Sequence, residues 1–260
     1  MRHTFAICAY GESPYLETCI RSLVSQTVKT PVILCTSTPC AYIDALAGKY
    51  GIPVYVNEKH EGIAGDWNFA YEKADCDFVT LAHQDDIYLA EYAEALQKAY
   101  AKYPDMSIFM SASRTVKDGN PVPDGKIERV KKLLRLPLRL RAFSGRRAVK
   151  LLTLRFGNPV ICPSCSYNKK LCGSGIFNGK YSFVLDWDAL VRLAERKGRW
   201  ICSEKPLILY RVHADAATAQ SIRSHVRETE ESEMFDRLLP GRAAAVVKKA
   251  YRKSYEAYTG

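Results

Sequence analysis

Apolar residues in the first hundred positions fall into short runs and helical stripes that take turns along the chain. Thr4–Ala9 reads as a buried strand. After the turn Tyr10-Gly11-Glu12-Ser13, Pro14 suits a first helical position, and Leu16, Cys19, Ile20, Leu23 and Val24 recur on one helical face. Val32–Thr36 predicts a second strand, Ala41–Tyr50 a second helix, and Val54–Asn57 a third strand after the Gly51-Ile52-Pro53 turn. The stripe Ile63, Trp67, Ala70, Tyr71 and Ala74 predicts a helix, Asp77–Ala82 a strand, and Leu89 through Tyr103 a helix stopped by Pro104, with a strand at Met106–Ala112. Strands that alternate with helices imply an α/β fold, a mostly parallel central sheet with helices on both faces.

Past residue 115 this rhythm fails. Lys117-Asp118-Gly119-Asn120-Pro121 and Pro123-Asp124-Gly125 mark turns, and residues 116–156 read as a basic insertion or lid. Order returns with a strand near Tyr181–Leu185, a helix over Asp188–Lys197, and short strands at Trp200–Cys202 and Leu207–Tyr210. From Ser221 the chain is polar and helix-prone. The expected organisation is one domain over 1–220, with halves 1–115 and 157–220 around the insertion, and a C-terminal helical extension over 221–260.

Composition narrows the chemistry. With 260 residues, 47% of them hydrophobic, the chain buries a sizeable core. It has no uncharged apolar run long enough to span a bilayer and no secretory start, which predicts a cytoplasmic protein. Nine cysteines, an odd number in apolar contexts, predict reduced thiols rather than a disulfide framework. The net charge of +10 calls for an anionic partner, and it is concentrated: Lys126–Arg155 holds eleven Lys or Arg and one acid, Glu128. Charge alone would suit a nucleic acid, but no helix-turn-helix, RNA-binding sheet or zinc-finger pattern accompanies it. The basic residues are interleaved with Leu133, Leu134, Leu136, Leu138 and Leu140, and Pro137 interrupts any long helix. Two readings fit: peripheral contact with an anionic membrane, or a solvated helix packing its leucines on the domain. Cys162-Pro163-Ser164-Cys165 with Cys172 suggests zinc but lacks a fourth ligand at finger spacing.

Gln84, Asp85 and Asp86 follow the fourth strand, at the end of a parallel sheet where ligands bind. Adjacent carboxylates there suit a divalent cation such as Mg or Mn, although either acid also suits a helix cap. Wider segments now add to this. Phe5-Ala6-Ile7-Cys8-Ala9-Tyr10 with Tyr15 through Leu23, then Gly62-Ile63-Ala64-Gly65-Asp66-Trp67-Asn68, then His83-Gln84-Asp85-Asp86, resemble in order the landmarks of the family 2 glycosyltransferases of GT-A fold. Leu185-Asp186-Trp187-Asp188 and Tyr210-Arg211-Val212-His213 are similar to that family's later motifs. The resemblance implies a nucleotide-sugar donor held by Ala9, Tyr10, Glu12, Thr36, Gly65, Asn68, Gln84 and Asp85. It implies a Mn or Mg ion on Asp85, Asp86 and His213, with His83 as a further ligand, and Asp186 as the base in an inverting transfer to a glycan or lipid-linked acceptor in polysaccharide synthesis. Three positions depart from the pattern. His83 and Leu185 stand where acids are expected, and Cys35-Thr36-Ser37-Thr38-Pro39 lacks the acid that meets the base. They keep open a second class, a nucleotide-sugar-binding protein with weakened catalysis.

Overall fold

A computed structural model describes residues 1–117, 119–123, 125–213, 221 and 225–259, the last eight as backbone. Nine strands join one curled sheet: β1 His3–Ala9, β2 Val32–Thr36, β3 Val54–Val56, β4 Phe78–His83, β5 Ile87–Tyr88, β6 Met106–Lys117, β7 Asn120–Pro121, β8 Ser166–Asn168 and β9 Arg199–Val212. Their order is β3-β2-β1-β4-β8-β6-β9-β5, with β7 on β6. The long ladders, β1 with β2 and β4, and β6 with β9, are parallel. The short β8 is antiparallel to both β4 and β6 and stitches the two parallel halves together.

Alternation along the strands sorts side chains to the two faces. Phe5, Ile7 and Ala9 of β1 join one core cluster with Leu16, Cys19, Ile20 and Leu23 of α1 (Leu16–Val24) and Tyr92, Ala93 and Leu96. Ala6, Val79 and Leu81 point into the other, with Ala70 and Tyr71. The helices are α2 Ala41–Tyr50, α3 Gly62–Lys73, α4 Tyr92–Lys102, α5 Lys126–Arg135, α6 Arg147–Leu154, α7 Lys169–Cys172, α8 Leu185–Ala194, α9 Val226–Leu238 and α10 Gly241–Thr259. Gly51 ends α2 in the left-handed conformation at φ 62°, which a residue with Cβ adopts only at a cost.

Several expectations need correction. No strand forms at Tyr181–Leu185; Ser182, Phe183 and Val184 donate their N–H groups to the Glu230 carboxylate instead of to a neighbouring strand, and α8 begins at Leu185 rather than Asp188. The two short strands after it are one long β9, irregular opposite Ser111–Ser113. Within the expected insertion, α5 and α6 flank a single 3-10 turn over Leu136–Arg139, where Pro137 interrupts the helix. The predicted turn residues Asp118 and Asp124 lie outside the described residues, as does the expected boundary at residue 220. Met234, Phe235, Leu239 and Ala244 from the C-terminal helices belong to the same core cluster as Trp187.

Candidate functional site

Strands β1 and β4 are central neighbours, in register from His3 opposite Phe78 to Cys8 opposite His83, so the chain leaves both at the same edge. Gln84 latches them: its Oε1 accepts from Tyr10 N at 2.9 Å and its Nε2 donates to Tyr10 O at 3.0 Å. The turn that follows leads directly into β5, which runs antiparallel to β9, Ile87 opposite Leu209 and Tyr88 opposite Ile208. That pairing returns the chain end of β9 to the turn. His213 Nε2 comes to 3.2 Å from Asp85 Oδ2, while Ser13 Oγ donates to Asp85 Oδ1 at 3.1 Å. Arg211 holds the arrangement from below, with its Nε donating to Asp85 O at 2.9 Å and its backbone N to Asp86 Oδ1 at 3.0 Å. Tyr15 supports both partners: the Arg211 guanidinium lies 4.4 Å and the His213 ring 4.8 Å from its ring centre.

The two aspartates therefore do different things. Asp86 is buried and engaged with the Arg211 backbone, and burial pushes its carboxyl up to about 8. Asp85 is partly open. His213 Nε2 is buried and, although close to Asp85, makes no hydrogen bond among the described residues. A buried nitrogen facing a carboxylate without a proton bridge is a donor pair that fits a divalent cation. No group of three metal-binding side chains exists among the described residues, so a cation there would take its remaining ligands from phosphate and water. His83 sits apart in character: its ring packs on Trp67 at 4.8 Å, and burial pulls it down to about 4, which keeps it neutral near pH 7. Its Nε2 is also buried without a hydrogen bond.

Along the edge toward β2, Gly11 N donates to Thr38 Oγ1 at 2.7 Å and Thr38 N to Thr36 Oγ1 at 3.0 Å, which folds the loop over the strand end. An acid absent from the loop arrives from α3. Asp66 accepts from Ser37 Oγ and from Asn57 Nδ2, each at 2.8 Å. Of the other predicted donor residues, Ala9 is buried, Tyr10 and Glu12 are exposed at the edge, and Gly65 lies where a Cβ would come within 2.5 Å of Glu61 Cβ. Asn68 bridges to the Phe177 backbone in both directions, donating to its O at 2.8 Å and accepting from its N at 3.0 Å. Both faces of that amide hold the 177 loop.

Asp186 lies in the first turn of α8. Asn158 Nδ2 donates to its Oδ2 at 2.9 Å and Trp187 N to its Oδ1 at 2.7 Å. Burial pushes the carboxyl up to about 6 against these donors and the Lys131 charge. The buried Cys162 thiol lies within electrostatic reach of both Asp186 and Cys8 of β1. Leu185 is buried in the core, which is why no acid stands there. Glu231 of α9 brings a buried carboxyl within electrostatic reach of Asp186 and is itself pushed up to about 7 by burial. Ser13, Asp66, Asn158 and Glu231 were not among the sequence-predicted site residues, although Ser13 ends the Tyr10–Ser13 turn and Asp66 lies in the Gly62–Asn68 landmark. The cysteines of the zinc reading are core thiols: Cys172 donates to Ser107 O, and burial raises Cys162, Cys165 and Cys172 well above the range of a ready thiolate.

The sequence profile of Glycosyl transferase family 2 matches residues 4–170. The chain belongs to that family. No curated protein sequence matches it. Solved structures share the glycosyltransferase's fold at low identity. The mannosyltransferase PcManGT from Pyrobaculum calidifontis, in complex with GDP-Man and Mn2+, superposes with a TM-score of 0.66 at 14% identity, over 96% of this chain and 69% of that one. S. aureus TarS 1-349 in complex with UDP-GlcNAc gives 0.63 at 12% identity, over 95% and 70%. Glucosyl-3-phosphoglycerate synthase from Mycobacterium tuberculosis gives 0.54 at 13%, over 92% and 81%. The glycosyltransferase has no helix among its described residues long and apolar enough to cross a membrane.

Proposed function

We propose that this glycosyltransferase moves a sugar from a nucleotide-sugar donor to a hydroxyl of a glycan or lipid-linked acceptor in polysaccharide synthesis, with inversion at the anomeric carbon. The observation that carries the proposal is the pairing of Asp85 with the unbonded, buried Nε2 of His213; a second, half-buried carboxylate, Asp186, stands in the first turn of α8. Asp85 and His213 would hold a Mn or Mg ion, which supplies charge neutralisation for a departing nucleoside diphosphate. Ser13 and Arg211 fix the Asp85 carboxylate and its backbone, so the ligand does not reorganise as charge develops. Gln84 joins the two loops that would flank the donor, and Thr36, Thr38 and Asp66 line the edge where a base would rest. Asp186 takes the proton of the acceptor hydroxyl as that oxygen attacks from the face opposite the leaving group. Its carboxyl, titrating at about 6, is ionised near neutrality yet basic enough to accept the proton.

The test is a pair of variants assayed with a panel of nucleotide sugars in Mn or Mg. Asp186→Asn should keep the donor-induced thermal shift while turnover falls by roughly 10²- to 10⁴-fold. Asp85→Asn should lose the metal-dependent part of donor binding. Normal turnover in Asp186→Asn would remove the base assignment, and unchanged metal-dependent donor binding in Asp85→Asn would remove the cation site.

A further inference from the structure

Large exposed apolar side chains are concentrated in one stretch of the chain. Leu133 and Leu140, 62% and 61% exposed, line a single groove of about 510 Å3 with Leu136, Leu152 and Phe156, between α5, the 3-10 turn and α6. Each of the two helices buries one cation and leaves a large apolar side chain exposed. On α5 the buried residue is Arg135, whose Nη1 donates to Pro159 O at 2.9 Å, while Val130 and Leu133 face outward. On α6 the Lys150 ammonium is tucked under the domain, donating to Arg196 O at 2.8 Å, and Leu152 is left exposed. Several large apolar side chains exposed around one groove cost a lone folded chain free energy unless that face meets an apolar phase.

Charge on the same segment says what that phase is. Lys126–Arg155 carries eleven basic residues against Glu128, and that acid is paired with Lys131 at 3.2 Å. Arg129, Lys132, Arg139, Arg146 and Arg155 are all exposed. Leucines to enter hydrocarbon and cations to meet phosphate are the two halves of interfacial membrane binding; a nucleic acid would use only the second. The groove lies close along the chain to the surroundings of Asp186. Its wall residue Phe156 stands two positions before Asn158, which donates to Asp186, and Lys131 on α5 lies within electrostatic reach of Asp186.

We infer that this face docks the enzyme on an anionic lipid bilayer, with the groove leucines at the boundary between headgroups and acyl chains, and that the hydroxyl reaching Asp186 belongs to a lipid-linked acceptor presented from that surface. The acceptor part rests on the proposed transfer; the docking part stands without it. Screening of the phosphate contacts makes the docking salt-sensitive.

The full chain is sedimented with vesicles of phosphatidylcholine alone or mixed with phosphatidylglycerol, at low and high salt. Co-sedimentation is expected with the anionic vesicles and should weaken with salt. Leu133→Ser with Leu140→Ser, and separately Arg129→Glu with Lys132→Glu, should each reduce binding by about tenfold or more while donor hydrolysis in the absence of vesicles stays as in the parent chain. No binding to anionic vesicles at low salt overturns the inference, as does binding indifferent to both double variants. A leucine-dependent dimer in the absence of vesicles would assign the groove to a second copy and overturn it as well. Vesicle binding through these residues by a chain that turns over no nucleotide sugar keeps the docking and sinks the transfer; donor turnover without vesicle binding does the reverse.

Discussion

Two influences oppose each other on the Asp186 carboxyl. Burial disfavours the anion, whereas the Trp187 N–H and the Asn158 amide favour it, and the balance leaves the group at about 6. A base must be ionised to act, so kcat should fall as pH drops through about 6, approaching a tenfold loss per unit below it. Asn158→Ala removes one donor that favours the anion. A hydrogen bond to a charged group is worth about 1.5–3 kcal/mol, so the acidic limb of the pH profile should move to higher pH by roughly one to two units. A pH–rate profile of the two proteins checks this, and a limb that stays in place would show that Asp186 is not the group being titrated. The aspartate could be read from its neighbours Leu185, Trp187 and Asp188 in the sequence, because those residues are local to it. Asn158 is 28 positions away and enters only once α8 has packed.

The segment that enters α8 has the sequence pattern of a strand and does not form one. Tyr181, Phe183, Val184 and Leu185 look like strand residues, yet no strand partner is available to their N–H groups. Glu230 of α9 accepts from Ser182 N and Oγ and from Phe183 N and Val184 N, at 2.7 to 3.0 Å. Burial alone would raise the Glu230 carboxyl, but these donors outweigh it and hold it below its ordinary value. Glu230→Ala leaves those main-chain groups without their acceptor and should destabilise the fold by about 1–3 kcal/mol, read as a lower urea midpoint. The loss should be greatest at neutral pH. A depressed carboxylate stabilises the fold above its unfolded-state value, and that contribution fades as pH falls through the folded one, so parent and variant should converge in acid. A constant gap across pH would contradict the cap. The same limit on local reading hid the β5–β9 pairing: Asp86 meets Arg211 across 125 positions, a distance no periodicity spans. By contrast, apart from β5, the elements from β1 through α4 follow the hydrophobic pattern closely, since β1, β2 and β3 are each followed directly by a helix.

At the scale of the molecule, the C-terminal helices raise the question of what counts as an extension. Their sequence is polar; α9 reads Val-Arg-Glu-Thr-Glu-Glu-Ser-Glu-Met-Phe-Asp-Arg-Leu and offers few apolar residues to a pattern search. Those few are decisive in place. Phe235 packs edge-on against Trp187 at 5.2 Å and against Tyr251 of α10 at 4.8 Å, and Met234, Leu239 and Ala244 are buried in the same cluster. Arg237 also reaches back to buried Asp188 at 2.5 Å, so the first turn of α8, which carries Asp186, is held twice by α9, through Asp188 and through the Val184 N–H. Deleting the Phe235 ring alone should cost about 3–5 kcal/mol. That is a large share of the roughly 5–15 kcal/mol by which a domain is stable. A chain ended at residue 225 would lose this ring, its neighbours, the Glu230 cap and the Asp188 pair together. It should therefore be recovered aggregated or unfolded, with no donor-induced thermal shift, and Phe235→Ala should show a partial version of the same loss. An independent extension predicts the opposite: a truncated chain that unfolds at the parent midpoint and binds donor as before. Circular dichroism melts of the three proteins, with and without nucleotide sugar and Mn, separate the two outcomes.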